Sequence, residues 1–353
     1  MKNCYYAAFV PGLQELVAQA VRERLPDVSI KKLLEGAIIF ETECSYDRLN
    51  FFCFNNIFAV IDIVDITEDS AVHREHPENN GKNILEFHAG KILRPGRDLP
   101  KGAAGVISEN SKKIKTFRLV CSIENKPAAL DETLRRKMEK FIEDHSYLKL
   151  NRSGPDTEFW LLYRREGISL FLKRLTRSFE KNLQPGELSP PLAWLLCRAA
   201  GLRSGDTVLD PFSGYGAIPE AVIKHFPVKK IVALDTENRC VKICRRKKSL
   251  QSERAGIHNA DFFSFSFSPG SFDAIITDPP WGHYRESQIP QEVFYEKMLA
   301  FFSGLLKPEG RAVILAGIEL ESAAKKTAAL KLEKSMPVLV SGKKASVFVF
   351  KKP

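Results

Sequence analysis

The feature that most restricts the fold lies in the second half of the chain, where apolar runs alternate with helical patterns and end in aspartate. Thr207-Val208-Leu209 runs into Asp210, Ile231-Val232-Ala233-Leu234 into Asp235, and Phe272-Asp273-Ala274-Ile275-Ile276-Thr277 into Asp278. A shorter run leads to His258-Asn259-Ala260-Asp261. Short apolar runs separated by helical periodicity predict strands of a parallel sheet with both faces covered. Ligands of such open sheets bind outside the carboxyl ends of the strands, where these acids fall. Any one of them can cap a helix, but capping alone does not explain four in succession.

Two of the strand ends carry more. After Asp210 comes Pro211-Phe212-Ser213-Gly214-Tyr215-Gly216, then the helical run Ala217 to His225. Glycines let backbone approach a ligand closely, and a helix start presents free N–H groups. Asp235 follows at the distance where an acid meets a ribose diol in doubly wound folds. The other strand end is Asp278-Pro279-Pro280-Trp281-Gly282. Here Asp278 and the carbonyl of Pro279, stiffened by the next proline, can accept the two N–H bonds of an exocyclic amine. Trp281 can stack on the ring that bears it. The nitrogen lone pair is then left free to attack.

Beyond this, Gln291 to Leu306 reads as a helix, Arg311 to Ala316 as a strand and Glu319 to Leu330 as a helix. Leu332 to Val340 and Ala345 to Phe350, joined by Ser341-Gly342-Lys343-Lys344, make a hairpin. A parallel sheet that ends in an antiparallel hairpin is not the pattern of a dinucleotide dehydrogenase.

The first half is built differently. Tyr5 to Val10, Ala37 to Glu41 and Ile57 to Val64 read as strands, with helices over Leu13 to Leu25 and near Tyr46 to Phe54. This short alternation suggests a small α+β domain. Asp65 to Asn83 is a polar loop in which His73 and His76 lack further ligands, so no metal is expected. A strand over Thr116 to Cys121, an amphipathic helix over Ala129 to His145, and strands over Glu158 to Tyr163 and Ile168 to Leu172 follow. Lys112, Lys113, Arg135, Arg136, Lys173, Arg174 and Arg177 sit at their edges and suggest an RNA-binding surface.

The balance of 53 Lys+Arg against 43 Asp+Glu leaves a net charge of +10 on 353 residues, which suits a polyanionic partner. Seven scattered cysteines without a Cys-x-x-Cys pair argue against a disulfide scaffold and for a reducing compartment. No leader pattern or membrane-length apolar run is present in the sequence, so a cytoplasmic protein is expected.

Together the strand-end motifs resemble those of class I S-adenosylmethionine-dependent methyltransferases. Asp210, Pro211, Phe212, Ser213, Gly214 and Gly216, with Ala217 and Ile218 opening the helix, are similar to the first cofactor motif. Asp235, followed by Thr236, matches the acid that holds the cofactor ribose, and Asp261, followed by Phe262, the acid that reads the adenine amine. Asp278, Pro279, Pro280 and Trp281 resemble the catalytic motif of amino-methyltransferases acting on adenine N6, cytosine N4 or guanine N2. Tyr215 and Ala217 depart from the small hydroxyl residue and threonine usual around the second glycine.

The first half, with the linker into Leu188-Ser189-Pro190-Pro191, resembles the ferredoxin-like segment and THUMP domain of tRNA N2-guanosine methyltransferases. The resemblance implies an α+β segment over 1–64, a THUMP domain over 65–175, a linker over 176–191 and a Rossmann-like methyltransferase domain over 192–353. It further implies S-adenosyl-L-methionine as cofactor, tRNA as partner, a monomer, and an N2-methylguanosine product in the acceptor stem. Arg285, beside His283 and Tyr284, is placed to touch base or phosphate. Two other readings stay open: a ribosomal-RNA or DNA amino-methyltransferase, and a non-catalytic RNA-binding protein with a degenerate methyltransferase half. Methylation at pyrimidine C5 needs a cysteine nucleophile, and no cysteine follows the fourth or fifth strand.

Overall fold

The computed structural model describes residues 2–49, 51–66, 81–95, 115–176, 183–281, 290–327 and 330–353. It divides into two compact units: Met1–Ala8, Val21–Asn50 and Asn56–Ser178 form one, and Phe9–Ala20, Phe51–Asn55 and Phe179–Pro353 the other. The order of elements in the first half is β1 (Asn3–Ala8), α1 (Gln14–Arg24), β2 (Ser29–Leu34), β3 (Ala37–Thr42), β4 (Asn56–Asp65), α2 (Gly81–Ile92), β5 (Thr116–Ile123), β6 (Lys126–Pro127), α3 (Glu132–Asp144), β7 (Lys149–Leu150), β8 (Thr157–Arg164) and β9 (Ile168–Arg174).

The strands of the first unit make one sheet in the order β2-β3-β1-β4-β9-β8-β5-β6, with β7 also beside β5. The boundary expected at residue 64 is no break in that sheet, because β4 pairs with β1 on one edge and with β9 on the other. One core cluster joins α2 and α3 to the sheet through Ile84, Leu85, Met138, Ile142, Phe159 and Phe171. A second collects Tyr6, Ile39, Phe58, Leu170 and Leu172. Helix α3 starts at Asp131, whose carboxylate accepts the N–H groups of Thr133 (2.9 Å) and Leu134 (3.1 Å).

Two local expectations are corrected. The segment near Tyr46 is a single 3-10 turn over Tyr46–Arg48, not a helix to Phe54. Strand β2 was not foreseen, because Lys31 and Lys32 mask its apolar alternation. It is an edge strand, where lysine discourages further pairing.

The second unit carries α4 (Pro190–Ala200), β10 (Thr207–Asp210), α5 (Ala217–His225), β11 (Lys230–Asp235), α6 (Asn238–Arg246), β12 (Ala255–Asn259), β13 (Phe272–Thr277), α7 (Gln291–Leu305), β14 (Leu306–Ala316), α8 (Glu321–Thr327), β15 (Lys331–Val340) and β16 (Lys343–Lys351). Its sheet has the order β12-β11-β10-β13-β14-β16-β15. The first five are parallel, and β16 enters antiparallel to β14 and closes the hairpin with β15. Ser341 (φ 49°) and Gly342 (φ 79°) make the hairpin turn, where left-handed backbone at both residues matches the strand twist.

Strand β14 begins five residues earlier than expected, at Leu306 rather than Arg311, and runs through Pro308 at a register shift against β13. Proline is tolerated in a sheet at such an irregularity. Lys307 Nζ anchors the segment on both carboxylate oxygens of Asp273 at 2.7 Å. On one face of the sheet Leu299, Phe302, Ile314, Phe348 and Phe350 form a dry core.

Candidate active site

The parallel order brings the ends of β10, β11, β12 and β13 to one sheet edge, and a web of backbone bonds fixes the loops there. Ser213 N–H donates to the Leu234 carbonyl (2.8 Å), and Gly214 N–H donates to Asp235 Oδ2 (2.8 Å). The other Asp235 oxygen accepts from Glu237 N–H (2.8 Å). Asp235 therefore orders the glycine loop as well as standing at the strand end. Asn259 Nδ2 donates to the carbonyls of Asp235 (2.9 Å) and Thr236 (3.0 Å), tying the end of β12 to the same turn.

Gly216 must be glycine. Its φ is 82°, and a Cβ there would stand 2.5 Å from Cys244 Sγ on α6. Gly214 differs: its φ is 49°, but a Cβ would meet open space. Helix α5 starts at Gly216 without a side-chain cap, which leaves its first-turn N–H groups to a ligand.

Asp210 is fully buried. Its Oδ1 accepts from Phe212 N–H (3.3 Å), while Oδ2 and the nearby Ser213 hydroxyl are buried without a hydrogen bond of ordinary geometry. Burial pushes the Asp210 carboxyl well above the usual carboxylate range. A pocket runs along these atoms, lined by Asp210, Ser213, Gly214 and Asp278 and closed by Glu187 and Leu188. The last two come from the stretch read as a linker. Lys247 Nζ holds Glu187 (2.9 Å) and Glu220 (3.0 Å), fixing that stretch against α5 and α6. Tyr215 also lines the pocket, its hydroxyl against the Cys240 thiol.

The buried, unpartnered Ser213 hydroxyl, open space above Gly214 and an uncapped helix start suit a cofactor with several polar groups. The residues present fit one. Asp261, at the end of β12, is exposed and accepts the Ser264 hydroxyl at 2.8 Å. The Phe262 ring is 1% exposed and packs among Phe212, Phe263, Phe267 and Phe302, which leaves its backbone to face the strand-end site.

Asp278 follows β13, and burial raises its carboxyl to about 7, against the pull of a hydrogen bond from Trp281. Trp281 is anchored at its indole edge. Its Nε1–H donates to Asp278 Oδ1 at 2.8 Å, and its ring lies close over Gly317. Tyr295, fully buried on α7, supports the motif from below, its hydroxyl donating to the Pro280 carbonyl at 3.5 Å. Sequence reasoning missed Tyr295, Gly317 and Glu187. Only the Gln184-Pro185-Gly186-Glu187 turn signal hinted at the last.

The matches to known proteins fall on this half. Residues 177–345 match the family UPF0020, described as RMKL-like, methyltransferase domain. That stretch is similar to a methyltransferase domain. The match is in keeping with a methyl-donor cofactor of the S-adenosylmethionine type. Over 152 residues the chain is 32% identical to the tRNA (guanine(6)-N2)-methyltransferase of Thermus thermophilus, covering 42% of this chain and 45% of that protein. Over 168 residues it is 27% identical to the tRNA (guanine(10)-N2)-dimethyltransferase of Methanothermobacter thermautotrophicus, covering 42% and 47%. The chain thus spans about half the length of the curated relatives it matches. The crystal structure of TrmN from Thermus thermophilus superposes with a TM-score of 0.74 at 19% identity, over 99% of this chain and 100% of that one. The methyltransferase domain therefore has the class I, Rossmann-like fold with a terminal antiparallel hairpin.

The basic residues expected to meet RNA have mixed placements. Arg174 is taken up inside its unit by Glu158 (2.7 Å) and Asn56, and Lys173 is buried. Arg135 pairs with Glu139, and Arg136 is exposed beside Glu132 on the open face of α3. Lys112, Lys113, Arg177 and Arg285 lie outside the described residues, as do His73, His76 and His283. Among the described residues no cluster of acidic, histidine or cysteine side chains suits a metal, and no helix is long and apolar enough to cross a membrane.

Proposed function

We propose that this chain is an S-adenosylmethionine-dependent RNA methyltransferase that methylates the exocyclic N2 of a guanosine in the acceptor stem of tRNA. The observation that carries the reading is the Asp278-Pro279 pair, set at the sheet edge beside the pocket lined by Asp210, Ser213 and Gly214. Bound S-adenosylmethionine supplies an activated methyl group. Asp235 would hold its ribose, Asp261 its adenine amine, and the start of α5 its carboxylate.

The chain's own contribution is positioning and electrostatics. Asp278 and the Pro279 carbonyl draw on the two N–H bonds of the target amine and turn the nitrogen lone pair toward the methyl. The carboxylate stabilises positive charge as it develops on nitrogen. The Pro280 carbonyl, engaged by Tyr295, keeps the strand end from turning. A base inside a duplex cannot reach such a pocket, so the nucleotide must be extruded.

The first half of the chain, by its resemblance, would supply a ferredoxin-like segment over 1–64 and a THUMP domain over 65–175 that captures the RNA, with a linker over 176–191 leading to 192–353 for chemistry. We further propose a cytoplasmic monomer that needs no metal. The test offers labelled S-adenosylmethionine with unmodified tRNA, ribosomal RNA and DNA in parallel. Label in tRNA is expected. Label confined to ribosomal RNA or DNA would reassign the substrate, and none at all, with the cofactor bound, would leave an RNA-binding protein.

A further inference from the structure

Asp278 has two carboxylate oxygens, and the structure commits one of them. Trp281 Nε1–H donates to Oδ1 at 2.8 Å. The indole packs close against Gly317, the residue after β14: a Cβ there would lie 2.9 Å from Trp281 Cε3 and 3.2 Å from Cδ2. No left-handed backbone demands glycine at 317, so the ring is what excludes a side chain there.

We propose that Trp281 is a positioning residue for the acceptor amine: its indole N–H occupies Oδ1, presents Oδ2 to the target, and is kept there by Gly317. The proposal rests on the amine-methylation reading above and departs from a role for Trp281 as a stacking surface alone. With Oδ1 taken, Oδ2 and the Pro279 carbonyl are the two acceptors that meet the two N–H bonds of the amine. One orientation of the base follows, where a freely rotating carboxylate would allow several.

The bond also favours the charged form of Asp278, against burial. Among the described residues, the other titratable groups that face it are Asp210 at the end of β10 and Tyr295 on α7. Neither is a cation, so Trp281 is the group whose removal should raise the Asp278 carboxyl. Trp281→Phe keeps an aromatic ring and deletes the N–H. Gly317→Ala keeps the indole and displaces it.

Methyl transfer to tRNA is measured from pH 5.5 to 9 in the wild type and both variants, with melting temperature as a folding check. The wild type is expected to show a rising limb near pH 7. Both variants should move that limb upward by about one unit, which means about tenfold less transfer on the acid side and recovery toward pH 9. A second measurement does not need the reaction. With three tryptophans in the chain, 15N-indole NMR resolves Trp281, identified by its absence in Trp281→Phe. Its N–H signal should titrate near pH 7 and stop titrating in Asp278→Asn. Transfer by the wild type with an unmoved limb in Trp281→Phe and no indole titration would overturn the positioning role alone. No transfer to any RNA, with the indole still titrating, would remove the amine-methylation reading and the role with it.

Discussion

Asp278 shows how one buried carboxyl links stability to activity. Its folded pKa of about 7 stands above the ordinary 3.8, so between these values the folded state holds a proton that the unfolded chain has lost. Stability therefore falls as pH rises through that window, while the carboxylate needed to accept the amine N–H appears. Activity should rise through about pH 7. Asp278→Asn should cut transfer by about a hundredfold or more, on the scale of losing one preorganised group at a developing charge. Cofactor affinity should stay close to the wild type, as titration calorimetry would show. The same variant should melt higher than the wild type at pH 8, with the gap closing toward pH 4; no gap at pH 8 would mean that burial does not strain this group. Gly216→Ala forces a Cβ into Cys244 in left-handed backbone. It should cost at least about 1–3 kcal/mol in urea unfolding and weaken cofactor binding. The strand-end aspartates and Gly216 were legible because their chemistry or backbone demands those residue types at those places. Gly317 and Tyr295 were not, because they meet Trp281 and Pro280 across 36 and 15 residues of chain that only the folded sheet brings together.

At the level of elements, helices were easier to read than their ends. The apolar face of α3 was plain in the sequence, but its start at Asp131 rests on two N–H bonds to one carboxylate. Asp131→Ala should destabilise the protein by about 1 kcal/mol in urea and leave cofactor binding unchanged, since the cap lies in the first unit. Strands buried on both faces, such as β11 and β13, announce themselves as apolar runs. Edge strand β2 does not, because lysines that serve its solvent side break the pattern. The stretch before α4 carries more than its composition shows: glycine, proline and glutamate suggest a linker, and Glu187 within it also lines the pocket while paired with Lys247.

For the whole molecule, the surplus of ten positive charges is an argument about partners and says little about fold. Some basic residues are already neutralised within the chain, as the Arg174–Glu158 and Lys247–Glu187 pairs show, so the binding surface is smaller than the composition suggests. Affinity for tRNA should still fall steeply between about 50 and 200 mM salt, and a filter-binding series that stays flat would argue against phosphate contacts. Residues Phe9–Ala20 and Phe51–Asn55 belong to the same compact unit as the methyltransferase domain, where Phe52 stacks on His225 at 3.8 Å. Sequence order alone hid that partition. The most direct test of the account is the identity of the methylated nucleoside. Unmodified tRNA is incubated with the protein and S-adenosylmethionine, digested to nucleosides and resolved by mass spectrometry. The account predicts N2-methylguanosine, lost in Asp278→Asn. A methylated adenosine or cytidine, or tRNA left unmodified by protein that binds the cofactor, would contradict it.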